Sequence, residues 1–274
     1  MANEVLPRKP EPGAKPALAQ YRAWLSNEHG VDVRVERARY NSASATIARA
    51  VENSAYWRAF TRNRADIADR YVEKSTYSLF AFEHDQSIEP KSWESFLLKS
   101  FRRNVLNNDN WPAPPINGWT LPDNWYVTTH DIVRTTLVVK YLDGVEFLVS
   151  ELQKLAEKTG TQFSSSLEAR DEGYYAAHTY GEVICPVPTA KWDVAETPVQ
   201  LEVQITTQLQ EVIRRLTHEN YEQRRVKDKP SAMPWQWDYA GREFDPNYLG
   251  HILHYMEGTI MKVRANGSET KQSE

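Results

Sequence analysis

The order of elements in this 274-residue sequence is compatible with an α+β fold. Two observations point there. Helical periodicity occupies both ends of the chain, and between Ile132 and Arg225 the pattern runs strand, helix, strand, strand, strand, helix. A hydrophobic content of 41% is enough for one sizeable core, so one main domain with helical extensions is expected.

Taken in order, Met1 to Ala17 carries four prolines and no apolar run. The first 15 residues, and Ala265 to Glu274 at the other end, are polar and core-poor and are expected to be disordered tails. Pro16 to Tyr71 is helix-patterned, with Ile47, Val51 and Ala55 at helical spacing and a series of arginines from Arg34 to Arg64. Those arginines are either a solvated face or an anion- or RNA-contacting surface. Asn107 to Asn124, rich in Pro, Asn and Gly, is a loop.

Ile132 to Lys140 is β-branched and apolar, a strand, and Val145, Leu148, Leu152 and Leu155 then recur at helix spacing through Glu157. Strand-like stretches follow at Gln162 to Leu167, Tyr174 to Ile184 and Val199 to Ile205. The last alternates: Val199, Leu201, Val203 and Ile205 share one face, and Gln200, Glu202 and Gln204 the other. Gln208 to Arg225 is helical again. Pro230 to Pro246 is a loop holding Trp235 and Trp237, with packing as its default role, and Tyr248 to Val263 is a closing helix. There is no internal repeat.

A formal charge of −4 argues against a uniformly basic nucleic-acid-coating protein, without excluding a basic patch. Cys185 is the only cysteine, which excludes an internal disulfide and a cysteine-rich zinc site and fits a reducing compartment, so the expected location is the cytoplasm. With no signal peptide and no run of about 18 apolar residues, no membrane association is expected.

Three segments carry candidate chemistry. On a helix from Lys91 to Arg103, Lys91, Ser95, Lys99 and Arg102 fall within an arc of roughly 80°, opposite Trp93, Phe96, Leu97 and Phe101. This is either an amphipathic helix with solvated lysines or a face for phosphate oxygens. Asp131, at the mouth of one strand, and Glu202, on the polar face of another, are exposed acids or a converging pair. Magnesium takes oxygen ligands and keeps substrate phosphates among them, so one or two carboxylates suffice for it. Gly173-Tyr174-Tyr175-Ala176-Ala177-His178 combines a glycine suited to a tight entry with a tyrosine that can offer its ring to a nucleobase.

In this order and with these separations, the segments resemble the synthetase domain of the RelA/SpoT family, from Ile88 to Arg225. The resemblance implies a nucleotidyltransferase-like fold with a mixed, largely antiparallel central sheet flanked by helices. It divides the chain into a helical extension (16–87), a synthetase core (88–226), and a C-terminal loop and helix (227–264). The implied activity moves pyrophosphate from ATP to a ribose 3′-hydroxyl, with AMP leaving. Lys91, Ser95 and Lys99 match the ATP-phosphate helix, extended by Arg102 and Arg103. Asp131 matches the magnesium ligand, and Glu202 the base or second magnesium contact. Tyr174, expected to stack on the acceptor base, matches the acceptor loop with His178, and Arg170 and Gln204 complete the acceptor set. His218 and Tyr221 match the following helix.

Two basic contacts of the family are missing: Arg134 and Thr136 stand where a glycine and then an arginine are usual, and Thr206 where an arginine often is. Tyr175-Ala176-Ala177 is most similar to the toxic small alarmone synthetases. That likeness implies a tRNA 3′ end or a purine nucleotide as acceptor, with an antitoxin protein as partner. For a tRNA acceptor, the N-terminal arginines with Arg214, Arg215, Arg224 and Arg225 are candidates for backbone contacts. An ordinary (p)ppGpp synthetase using GDP or GTP, and a degenerate nucleotide- or RNA-binding module, remain alternatives. His130-Asp131 spells the family's hydrolase dipeptide by coincidence. His251 and His254 can share a helix face but lack a third zinc ligand.

Overall fold

In the computed structural model, residues 18–82, 87–188, 193–216 and 234–272 are described, with side chains as far as 266. The expected N-terminal tail, His218, Tyr221, Arg224, Arg225 and part of the Trp- and Pro-rich loop lie outside the described residues.

Three helices open the chain: α1 (Leu18–His29), α2 (Val33–Glu52) and α3 (Ala55–Ser75). Asp32 caps α2 by accepting from the Arg34 and Val35 amides, and Ser54 caps α3 at the Trp57 amide, which satisfies N–H groups the first turn leaves unpaired. Then come β1 (Glu89–Pro90), α4 (Trp93–Phe101) with a π-helical turn over Arg102–Leu106, and α5 (Trp125–Thr128). The remainder is β2 (Val133–Val139), α6 (Leu142–Thr159), β3 (Phe163–Ala169), β4 (Tyr175–Pro188), β5 (Val194–Thr207), a helix α7 over 208–216, and α8 (Phe244–Gln272).

The fold is α+β. One five-stranded sheet has the order β1-β2-β5-β4-β3, and every pairing is antiparallel except β2 with β5. A parallel pair needs a long crossover, and here α6, β3 and β4 lie between the two strands in sequence. The parallel register sets Arg134 beside Glu202.

Val199, Leu201, Val203 and Ile205 are all fully buried, as their alternation predicts. Glu202, on the other face, is buried as well, at 4% exposure. That face borders a cavity rather than open solvent. The helices α1 to α3 contribute Tyr21, Ile47, Val51, Phe60 and Ile67 to the same hydrophobic cluster as the sheet, so 18–75 shares a core with the strands.

Two element boundaries differ from the sequence pattern in ways that matter for the site. Lys91 is not helical: its amide donates to the Ile132 carbonyl at 2.8 Å, tying it to the sheet edge, and Ser92 caps α4 at the Ser95 amide. At the C-terminus, α8 begins at Phe244 and its backbone stays helical to Gln272, through the segment expected to be a tail, since extending an existing helix adds one hydrogen bond per residue without a new nucleus. Among the described residues no helix is long and apolar enough to cross a membrane.

Candidate active site

A cavity of about 460 Å³ opens between the sheet and the flanking helices. Lys91, Ser95 and Lys99 line it from the α4 side, and His130, Asp131 and Arg134 from the entrance of β2. The turn between β3 and β4 contributes Glu168, Arg170, Gly173 and Tyr174, while β4 and β5 supply His178, Tyr180, Glu202 and Gln204. Gln210 and Arg214 of α7 and Asn247 of α8 close the far side.

Nine of the residues singled out from sequence therefore share one cavity: Lys91, Ser95, Lys99, Asp131, Arg170, Tyr174, His178, Glu202 and Gln204. Arg102 and Arg103 do not reach it. Arg102 stands three residues beyond Lys99, about 4.5 Å further along the axis, and is exposed. Arg103 donates instead to the Thr128 carbonyl.

Asp131 is the electrostatic centre of the α4 side. Its Oδ2 accepts from Lys91 Nζ at 2.7 Å and its Oδ1 from Lys99 Nζ at 2.7 Å. Burial works against ionisation of this carboxyl, but the two ammonium groups outweigh it and hold the pKa at about 2. Burial pulls the Lys91 ammonium the other way, below the ordinary lysine value, with Asp131 opposing. Counting Arg134, this end of the cavity carries three cations and one anion.

Glu202 has two unlike oxygens. Oε1 accepts from His178 Nδ1 at 2.9 Å and from the Tyr180 hydroxyl at 3.4 Å. Oε2 is buried and has no hydrogen-bond partner. A carboxylate only accepts, so His178 Nδ1 carries the hydrogen on that side, and Nε2 shares a hydrogen bond of 2.8 Å with the Tyr174 hydroxyl. Burial pushes that hydroxyl up to about 12, so it keeps its proton. The chain Tyr174–His178–Glu202 thus fixes one oxygen, while the other has no hydrogen-bond partner.

The Tyr174 ring is held by a tight turn. Gly173 donates to the Arg170 carbonyl at 2.9 Å, Arg170 donates back to Tyr174 at 3.0 Å, and the Arg170 guanidinium lies 5.0 Å from the ring centre. Gly173 has φ +78°, and a Cβ there would sit 2.4 Å from the Asn247 carbonyl, so only glycine fits. Gly250 of α8 approaches equally closely, since its Cβ would lie 2.3 Å from the Gly173 carbonyl.

The C-terminal region grips the same turn from outside. His251 Nε2 meets the Asp171 carbonyl at 2.9 Å and its Nδ1 meets the Tyr175 hydroxyl at 2.8 Å, while Trp235 Nε1 donates to the Asp171 carboxylate at 3.0 Å. His254 stacks on Tyr175 with ring centres 3.7 Å apart. Trp235 is thus a clamp on this turn, a role that the sequence pattern of its loop does not signal.

On this side the cations are already paired. Arg170 meets Glu168 at 3.3 Å, and Arg214 meets both oxygens of Glu211 at 2.6 and 2.8 Å. The cavity therefore has an electropositive end around Lys91, Lys99 and Arg134, and a nearly neutral end beside an aromatic ring. Such a space can hold a polyphosphate against one wall and a nucleoside against the other, and Glu202 is among the residues that line it. Tyr180, Arg134 and Arg214 were not singled out for this site from sequence. Tyr180 was within reach of the strand period, two residues from His178, whereas Arg134 needed the β2–β5 register.

No protein-family model matches the sequence, and no curated protein matches it. Solved structures do. Small alarmone synthetase 1 from Bacillus subtilis is 15% identical, with a TM-score of 0.48 over 78% of this chain and 95% of that one. A GTP pyrophosphokinase family protein from Streptococcus pneumoniae is 17% identical, with a TM-score of 0.46 over 79% and 92%. Small alarmone synthetase 2 from B. subtilis is 15% identical, with a TM-score of 0.45 over 77% and 96%.

Proposed function

We propose that the chain is a RelA/SpoT-type synthetase that transfers pyrophosphate from ATP to a ribose 3′-hydroxyl. The observation that carries this reading is that one cavity is lined by the Lys91–Asp131–Lys99 cluster and by Glu202, one of whose buried carboxylate oxygens has no partner.

Lys91 and Lys99 receive the ATP phosphates, for which fixed cations are suited because they need no reorganisation as charge develops. Glu202 Oε2 takes the proton of the acceptor hydroxyl, and the resulting oxygen attacks the β-phosphorus. The bond from that phosphorus to the bridging oxygen on the α side breaks, AMP leaves, and the proton passes from Glu202 to solvent. Tyr174, its ring braced by Arg170 and its hydroxyl by His178, receives the acceptor base, with Gln204 beside it.

The oxygens present suit magnesium, since Asp131 is ionised and hard cations prefer carboxylate and phosphate oxygens. No group of three or more His, Cys, Asp or Glu able to hold a metal exists among the described residues, so Asp131 would share the ion with the substrate phosphates. When bound, the ion supplies charge neutralisation on those phosphates. Of the two roles implied for Glu202 we assign the base, because its one free oxygen cannot both ligate a metal and take a proton.

For the acceptor, the pairing of Arg170 and Arg214 with glutamates favours a substrate whose far end carries no polyphosphate, as the terminal nucleoside of an RNA 3′ end does. Tyr174→Ala is expected to raise the acceptor KM about 5- to 150-fold, from a stacking contact of roughly 1–3 kcal/mol, while the KM for ATP stays unchanged. Steady-state kinetics with each substrate varied in turn measure this, and an unchanged acceptor KM rejects the role given to Tyr174.

A further inference from the structure

Five of the residues that line the cavity are lysine or arginine: Lys91, Lys99, Arg134, Arg170 and Arg214. Four of them are engaged. Lys91 and Lys99 share Asp131, Arg170 meets Glu168, and Arg214 meets Glu211. Among the described residues lining the cavity, Arg134 is the only lysine or arginine whose side chain has neither an ion pair nor a hydrogen bond. Carboxylates are not lacking around it. Its register partners are Glu89 on β1 and Glu202 on β5, and such partners on neighbouring strands, about 4.8 Å apart, project on the same face. Guanidinium and carboxylate are complementary in shape and charge, yet Arg134 pairs with neither glutamate.

Its place is between the two groups to which the reaction assigns roles. Asp131 precedes Arg134 on the same chain segment, at the entrance of β2. Burial first, and then the charges of Lys99 and Arg134, lower the Lys91 pKa, so the guanidinium lies close enough to that ammonium to repel it. On its other side stands Glu202. With the triphosphate at the lysines and the acceptor hydroxyl at Glu202, the β-phosphorus that joins them lies beside Arg134. The lysine cluster brings two cations and one anion to that triphosphate, so Asp131 already offsets half of its positive charge. During transfer, charge spreads over the equatorial oxygens of the phosphorus under attack. A guanidinium stays ionised and offers two parallel N–H groups to two such oxygens.

We propose that Arg134 is a further catalytic residue, its guanidinium holding two non-bridging oxygens of the β-phosphoryl group while that group is transferred. The inference rests on the reaction assigned above. As the acceptor oxygen bonds to the β-phosphorus, the bond to the α-side bridging oxygen breaks and its electron pair leaves with AMP. The acceptor proton goes to Glu202, and Arg134 neither gives nor takes one. This cation belongs to the present chain, since Arg134 stands at the position where the RelA/SpoT resemblance places a glycine.

Transfer kinetics and nucleotide titration of the full chain, with Arg134→Gln and Arg134→Lys beside the wild type, test the assignment. Arg134→Gln should lower kcat at least about 10²-fold, as loss of an electrostatic contact to the reacting group does, with the acceptor KM unchanged. Arg134→Lys keeps the charge but loses the fork, and should recover part of the rate. The α,β-methylene analogue of ATP, which binds without reacting, should bind Arg134→Gln about 10- to 150-fold more weakly, the span for hydrogen bonds to charged groups. AMP, which has no β-phosphate, should bind both proteins alike. Both variants should melt with the wild type, because Arg134 makes no side-chain bond to the protein. A wild-type kcat in Arg134→Gln overturns the proposal, as do equal losses of analogue and AMP affinity or an early-melting pair of variants. Failure of the reaction itself reads differently: wild-type protein that releases no AMP with any acceptor removes the transfer. The comparison of analogue with AMP then still decides whether Arg134 holds a β-phosphate.

Discussion

Glu202→Gln lowers pyrophosphate transfer about 10²- to 10⁴-fold, the usual contribution of a positioned general base, with little change in ATP affinity or thermal stability. The substitution separates two properties of the side chain. Glutamine can still accept from His178 and Tyr180 at the position of Oε1, so the chain of hydrogen bonds back to Tyr174 survives. At the position of Oε2 the variant offers no basic oxygen. Single-turnover rates at saturating ATP and acceptor measure the chemical step, and nucleotide titration measures binding. A variant with the wild-type rate removes Glu202 from the role of base, and one that fails to bind ATP shows that the carboxylate serves the site's architecture instead.

The second large effect is expected at Asp131. Asp131→Ala leaves Lys91, 9% exposed, facing Lys99 with no anion between them. Removing one member of a buried ion pair costs about 3–5 kcal/mol, much of it from the charge left behind. Because Lys91 borders a cavity that admits water, the lower end applies. Transfer should fall at least about 10²-fold through loss of an electrostatic contact at the reacting phosphates.

The pH dependence carries a sign that can be checked. The folded-state pKa of Asp131 is held at about 2, below its ordinary 3.8, so the native state binds the proton less readily than the unfolded one. Its contribution to stability is complete above about pH 4 and is lost as pH falls toward 2. Urea unfolding between pH 6 and 2 should show this acid limb in the wild type and a shallower one in Asp131→Ala. Equal slopes would contradict the Lys91–Asp131–Lys99 pairing.

Part of this site is legible in the sequence. Alternation makes β5 readable because its core face is uniformly apolar from Val199 to Ile205, and the same alternation puts Glu202 on the opposite face. It does not show that this opposite face is buried too, since the side chains that meet the Glu202 carboxylate, His178 and Tyr180, come from another strand, β4. The cations are half legible. Lys99 follows from helical spacing, whereas Lys91 reaches the site from the sheet edge, by way of its backbone bond to Ile132. Extending the same arc to Arg102 and Arg103 overruns the cavity, because angle alone ignores distance along the axis.

Contacts that depend on tertiary register are not legible at all. Nothing local to Arg134 announces that a parallel pairing sets it beside Glu202, and nothing local to Gly250 announces that Gly173 lies against it. The clamp formed by Trp235 and His251 on Asp171 belongs to the same class, joining residues 64 and 80 positions apart.

The central claim is tested most directly by following the label of γ-labelled ATP, with magnesium, in parallel reactions offering deacylated tRNA, GDP, GTP or ATP alone as acceptor. The account predicts label on the tRNA 3′ end with one AMP formed per label transferred, and loss of both with Glu202→Gln. Label on a nucleotide instead would keep the chemistry and correct the acceptor, whereas no AMP and no labelled product from any acceptor would contradict the account and leave a nucleotide- or RNA-binding module.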